Sequence, residues 1–372
     1  MEYQHGGDIY SREIALDYSA NINPLGLPPG VRKTLKQCVE GELCSLYPDS
    51  SCRALRQALA QHHGIPEEHI ICGNGAADLI FGLAAALRPE RGLVMRPTFS
   101  EYEQALKTVG AKVEYVSLDE RRGFEPDLEA MCACVRQAKA EGRAYDIAFL
   151  CNPNNPTGIP SRKEQVERLA WECERADTLL AVDECFCDFM EEWEECSVIP
   201  ALKRFQKLFV LKAFTKLYAM AGLRLGYGLS FHGELLKELS LVRQPWSVSG
   251  LAQKAGEAAL KEKGYVKETR ALISRERHWL KDRLEELGCQ VYGSRANYLF
   301  FRFFPATGNR KIGESPEVFP RGWLYHRLLE KKVLIRSCSN YSGLDFGYYR
   351  ICVKTREENE ALTAYIREVI QG

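Results

Sequence analysis

The sequence predicts an α/β fold in which a large, mostly parallel sheet lies between helices beside a smaller α+β region. From about residue 70 to residue 230, short apolar runs alternate with longer amphipathic stretches, the signature of repeated βα units. The runs are apolar without polar alternation, as strands covered on both faces require. Beyond about residue 250 that rhythm stops, and helical and strand-like segments follow without strict order.

In chain order, strands are expected at residues 92–96, 113–118, 146–151, 179–183, 208–213 and 225–229. Helices are expected between several of them, at 76–87, 100–109, 126–140 and 162–176. The last third holds a long charged helical region, 251–287, then strands at 298–303, 333–336 and 349–353 and a final helix at 357–370. Residues 304–320 are rich in Pro and Gly and predict a loop. No internal repeat is visible.

The chain of 372 residues is long enough for two domains or one large core with a satellite. Fifty basic residues balance fifty acidic ones, so no global field draws it to nucleic acid or to an anionic membrane. A local basic pocket for a small anion stays open. The first ten residues are polar, and no apolar run approaches the ~20 residues needed to span a bilayer. A soluble, cytoplasmic protein is expected. Fourteen cysteines then read as free thiols in a reducing compartment. The close pairs, Cys132/Cys134 and Cys185/Cys187, lack zinc-knuckle spacing, and no metal site is expected.

Five motifs fall at predicted strand ends, each with a plain alternative. Lys216 follows a strand in Leu211-Lys212-Ala213-Phe214-Thr215-Lys216, with Arg224 eight residues later. Such a lysine is ordinarily a solvated surface residue. Desolvated, its amine becomes a nucleophile, and Thr215 and Arg224 offer a phosphate one hydroxyl and one bidentate donor. Cys72-Gly73-Asn74-Gly75-Ala76-Ala77 leads into an apolar helix. It is either a tight turn needing glycine or an anion cradle at a helix N-terminus. Val182-Asp183-Glu184 ends a strand, where a carboxylate either caps the next element or faces a ligand at the sheet edge. Cys151-Asn152-Pro153-Asn154-Asn155-Pro156-Thr157-Gly158 fixes a turn, and its Asn155 amide could donate to a ligand. In Pro97-Thr98-Phe99-Ser100-Glu101-Tyr102, Tyr102 either stacks on an aromatic ligand or packs as a helix residue.

Taken together and in this order, the run Asn152–Gly158, then Val182-Asp183-Glu184, then Thr215-Lys216 and Gly222-Leu223-Arg224-Leu225-Gly226-Tyr227 carry a resemblance. The sequence resembles the fold-type I pyridoxal-5′-phosphate (PLP) enzymes, the aspartate aminotransferase superfamily, over essentially its whole length. That resemblance implies PLP held as a Schiff base on Lys216. It implies Asp183 at the pyridine nitrogen, Asn155 at the phenolic oxygen, and Tyr102 against the ring. Gly75, Ala76, Ala77, Thr215 and Arg224 would hold the cofactor phosphate. It further implies an N-terminal arm (1–45), a large PLP-binding domain (46–245) and a small C-terminal domain (246–372).

Two branches compete, threonine-phosphate decarboxylases and histidinol-phosphate aminotransferases. His5-Gly6-Gly7, Tyr18–Gly26, Pro245-Trp246-Ser247-Val248, Arg295–Tyr298 and Leu334–Leu344 look more like the decarboxylases. So does Phe186, where the aminotransferases place a tyrosine hydroxyl. Ala213 departs from both branches, which put a hydroxyl residue there for the cofactor phosphate. By the same resemblance Arg350 and Asn155 contact the substrate carboxylate, and His5 and Arg336 grip the phosphate of a small phosphorylated amino acid. Arg336 and Arg350 would otherwise be surface cations paired to acidic neighbours. The resemblance also implies that Tyr47 reaches the cofactor phosphate of a neighbouring subunit, and with it a homodimer with shared sites. PLP folds also serve as sensors in transcription regulators, but no DNA-binding module is evident here.

Overall fold

The computed structural model describes residues 5–304 and 322–371. Seven strands build the main sheet: β1 Ile70–Gly73, β2 Arg91–Arg96, β3 Lys112–Ser117, β4 Ile147–Cys151, β5 Leu179–Asp183, β6 Leu208–Ala213 and β7 Gly226–Ser230. Their spatial order is β1-β7-β6-β5-β4-β2-β3. Strands β4, β5 and β7 are buried at every position, which explains why their sequences show no polar alternation. Neighbours from β3 across to β6 pair in parallel. Strand β7 runs antiparallel to both β6 and β1. Its connection from β6 holds only single turns, Phe214–Leu217 and Ala221–Leu223, and no crossover helix to carry the chain back.

The six expected strands of this sheet are present to within one residue at each end. Strand β1 was not among them, being four residues long and ending in glycine. The helical region 251–287 is two helices, Gly250–Ala259 and Lys263–Glu286. At their junction the Glu262 carboxylate accepts from the Gly30 amide at 2.8 Å, tying this corner to the helix Pro29–Glu40.

A second sheet holds β8 Gln290–Val291, β9 Tyr298–Arg302, β10 Arg336–Ser337 and β11 Tyr348–Cys352, all antiparallel, in the order β10-β11-β9-β8. The strand expected at 333–336 is split, because its two halves serve different partners. Val333–Leu334 pairs in parallel with Leu16–Asp17, while Arg336–Ser337 joins β11. The N-terminal segment is thereby fastened to the end of the chain: the Cys352 amide donates to the Tyr18 carbonyl at 2.9 Å, and the Tyr18 hydroxyl donates to Asn359 at 3.1 Å. The loop expected at 304–320 lies, apart from Phe304, outside the described residues. Among the described residues no helix is long and apolar enough to cross a membrane. All fourteen cysteines are free thiols.

The C-terminal ends of β2, β4, β5 and β6 lie along one edge of the sheet and open a cavity there. Beyond the reverse face, alternation along β6 sends Lys212 away from that cavity. Its ammonium is 3% exposed and lies 2.7 Å from Asp188 and 3.9 Å from Glu184. Glu184, fully buried, also accepts from the Ser197 hydroxyl and the Val198 amide, both at 2.7 Å. Removing the lysine leaves the buried Glu184 and the partly exposed Asp188 without this cation. Lys212→Ala should therefore lower stability by roughly 3 kcal/mol, read from urea unfolding midpoints.

Candidate active site

The cavity at the sheet edge has a volume of about 420 Å³ and gathers nearly all of the predicted residues. Each strand end delivers one of them. Strand β1 runs into the turn Gly73–Gly75, and the helix Ala76–Leu87 starts immediately after it. Gly75 has φ +81°, and a Cβ there would lie 2.6 Å from the Arg224 guanidinium. A Cβ on Gly226 would sit 2.5 Å from the Ala76 amide nitrogen. Glycine at both positions thus lets the turn, the guanidinium and the first helical amides crowd around one point. Those amides lack intrahelical acceptors. Arg224 has no acidic partner among the described residues and bonds only the Ala221 carbonyl, at 3.4 Å. Thr215 and Ala213 complete this end of the cavity.

Strand β5 delivers Asp183. Its carboxylate accepts from the Tyr102 hydroxyl at 2.6 Å and from the Cys185 amide at 2.9 Å. Tyr102 is fully buried and stacked on Phe149, with centroids 5.0 Å apart. It therefore stands behind Asp183 and off the cavity wall, and the expectation that it stacks on a ligand ring is corrected. Phe99, three residues earlier, lines the cavity in its place. The reason is helical phase: the helix Ser100–Thr108 turns Tyr102 inward, whereas Phe99 precedes it in extended conformation.

Lys216 sits in the single turn after β6, half-buried, with no carboxylate partner among the described residues. Burial lowers its pKa to about 8, and the cations Arg350 and Arg224 add to the shift. On β4's side, the Asn155 side-chain oxygen accepts from Arg350 at 2.6 Å. Arg350 also donates to the Ser19 carbonyl at 2.7 Å, and its buried Nε has no partner among the described residues. Arg336, on β10, donates to Asn340 at 2.9 Å and lies over the Tyr341 ring. Neither arginine is a surface cation; both are buried on the cavity wall. His5 reaches the same wall because the Gly7 amide bonds the Ser19 hydroxyl at 2.7 Å. The His5 Nδ1 lies 3.2 Å from the Glu101 carboxylate. Tyr47, like Tyr102, is off the cavity wall, but on the surface, 82% exposed and packed on Trp246. Phe186 faces the cavity and packs edge-on against Tyr298.

Residues that sequence reasoning left out are Phe99, Glu101, Tyr341 and Asn21. Asn21 is almost fully buried, and its side-chain oxygen has no partner among the described residues. Its signal was the polar run Ser19–Asn23, placed where an arm would be expected to be loose. Glu101 resembled an ordinary acidic residue in the first turn of a helix.

The class I and II aminotransferase family profile matches residues 13–366. The chain belongs to that family. It is 36% identical to the threonine-phosphate decarboxylase of Salmonella typhimurium, over 99% of this chain and 97% of that one. It is 32% identical to a histidinol-phosphate aminotransferase of Caldanaerobacter subterraneus, over 94% and 92% respectively. The crystal structure of the histidinol-phosphate aminotransferase from Clostridium acetobutylicum superposes with a TM-score of 0.83 at 28% identity, covering 96% of this chain and 99% of that one.

The family uses pyridoxal 5′-phosphate, and the chain is a PLP-dependent enzyme with the fold of that family. The cavity suits this cofactor. It has an anion cradle that a Cβ would fill, a buried carboxylate with only neutral donors, an aromatic wall and an unpaired lysine. Only the neutral Lys216 amine can join the cofactor. Stripped protein should therefore capture PLP faster as pH rises through about 8, with the rate levelling above it. Cofactor absorbance measures this, and a rate flat across that range would contradict the lowered amine pKa.

Proposed function

We propose that the protein decarboxylates L-threonine O-3-phosphate to (R)-1-amino-2-propanol O-2-phosphate, a step of cobalamin biosynthesis. The observation that carries this reading is a pair of buried arginines on the wall of one cavity, Arg350 bonded to Asn155 and Arg336 beside His5. The substrate has two matching anions, a carboxylate and a phosphate. Phe186 supports the same reading, since it brings no hydroxyl to the cavity.

In this reading Thr215, Arg224 and the amides around Gly75, Ala76 and Ala77 hold the cofactor phosphate. Asp183 would pair with the pyridine nitrogen, Phe99 would back the ring, and Lys216 would anchor the cofactor. Bound PLP supplies an electron sink for the substrate bond that breaks at the α-carbon. Arg350, braced by Asn155, holds the carboxylate and so decides which bond to the α-carbon is aligned for cleavage. Arg336 and His5 fix the far end through the phosphate. After carbon dioxide leaves, Lys216 returns a proton to the α-carbon; its lowered pKa suits such a transfer. Tyr47, exposed beside the exposed Leu46 and Trp246, supports a homodimer in which it reaches the neighbouring cofactor phosphate.

A second reading is transamination of histidinol phosphate with 2-oxoglutarate. The 32% identity to an enzyme so named favours it, and the phosphate grip would serve both substrates.

Purified enzyme given L-threonine O-3-phosphate without a keto acid should release carbon dioxide. Histidinol phosphate with 2-oxoglutarate should yield no glutamate; the reverse pattern makes the protein an aminotransferase. Lys216→Ala should lose turnover and the borohydride-reducible link to the cofactor, and a variant retaining both would sink the assignment. Arg336→Ala should raise KM for the phosphorylated substrate at least tenfold, the weight of one charge-assisted contact.

A further inference from the structure

One charged group on the cavity wall has no part in that scheme. Glu101 is 8% exposed, in the first turn of the helix Ser100–Thr108. It stands among the groups proposed to receive a dianion, where a carboxylate would repel the ligand. Its partner is His5 Nδ1 at 3.2 Å, and the Ser100 hydroxyl donates to its other oxygen at 3.2 Å. The contact has the geometry of an ion pair. Burial nevertheless pushes the Glu101 pKa up to about 7, and burial followed by Arg336 holds His5 below its ordinary value. Both groups are thus biased towards neutrality in the free cavity. The other charged or titratable groups acting on Glu101 are Arg336 from β10 and Asp183 from β5, while Tyr341 and Cys151 feel its charge in turn. Arg336 alone is a fixed cation.

We propose that Glu101 is a positioning residue for the substrate phosphate, which holds the His5 imidazole on the cavity wall and shares a proton with it that is taken up when the phosphate binds. The proposal rests on the assignment of Arg336 and His5 to the phosphate. With the pair carrying one proton fewer, the dianion meets a bare carboxylate. With that proton restored, Glu101 is neutral or His5 is cationic, and the local charge no longer opposes binding. The sign follows from the raised carboxyl pKa. Affinity is full below about pH 7 and falls as pH rises through it, roughly fivefold between pH 7 and pH 8. The second ionisation of a phosphate monoester, near pH 6, is nearly complete over that range; that of inorganic phosphate lies higher, within the range, but is common to all variants and cancels when they are compared.

The test is calorimetric titration of the PLP-loaded protein with inorganic phosphate and with L-threonine O-3-phosphate, at pH 7 and pH 8, in buffers of different ionisation enthalpy. Wild type should take up protons on binding L-threonine O-3-phosphate, and with either probe should take up more than Glu101→Gln does. Glu101→Gln, nearly isosteric and able to hydrogen-bond His5, should bind more tightly at pH 8, lose most of the pH dependence and take up fewer protons. In a His5→Gln background the carboxylate still faces the dianion, so the same substitution should again tighten binding at pH 8, by a factor different from that in wild type because Glu101 and His5 share the proton. Cofactor absorbance verifies that each variant is loaded. Equal proton uptake and an unchanged pH profile in Glu101→Gln overturn the proposal while leaving the phosphate site standing. Binding of neither probe, with Arg336→Ala no different from wild type, overturns both.

Discussion

Two neighbouring carboxylates at the end of one strand set the terms for this molecule. Asp183 and Glu184 are both buried, and two such charges cannot share a face. The pleat sends them apart. Glu184 is satisfied behind the sheet by Ser197, Val198 and the Lys212 cation. Asp183 points into the cavity and receives only neutral donors, the Tyr102 hydroxyl and the Cys185 amide. Its charge is therefore left over for something the chain does not supply. The same alternation along β6 keeps Lys212 behind the sheet, so that Lys216 is the lysine on the cavity side.

Much of the fold was legible because its strands obey one strong rule. A strand covered on both faces is apolar along most of its length, and β4, β5 and β6 stand out of the sequence for that reason, with Asp183 and Lys212 coming only near the ends of β5 and β6. What was not legible depended on partners far along the chain. The division of 333–336 between two sheets follows from where Leu16–Asp17 and β11 lie, and no local pattern encodes that. The break between the two helices after residue 250 is of the same kind, since Glu262 leaves the helix for an amide at Gly30.

The site divides in a similar way. Asp183, Asn155, Lys216 and the Gly73–Gly75 turn were readable because each follows a strand, and strand ends on a parallel sheet converge. Tyr102 and Phe99 show the limit. Both are aromatic and three residues apart, and only the starting phase of the helix decides which of them meets the cavity. Glu101 escaped notice because its neighbour there, His5, is 96 positions away in the chain and held by a hydrogen bond at Ser19.

The fastening of the N-terminal segment to the end of the chain has a consequence for how such a protein can change. Apart from Tyr47, the groups proposed for the cofactor come from the central sheet, residues 73 to 226, whereas those proposed for the far end of the substrate come from the arm and from β10. The two sets fold through different contacts, one through a continuous sheet and the other through the Leu16–Asp17 pairing with Val333–Leu334. Substitutions at the chain's two extremities can therefore redraw the outer half of the pocket while the inner half keeps its register. A scaffold divided along that line can be passed between reactions, with one half inherited and the other half rewritten.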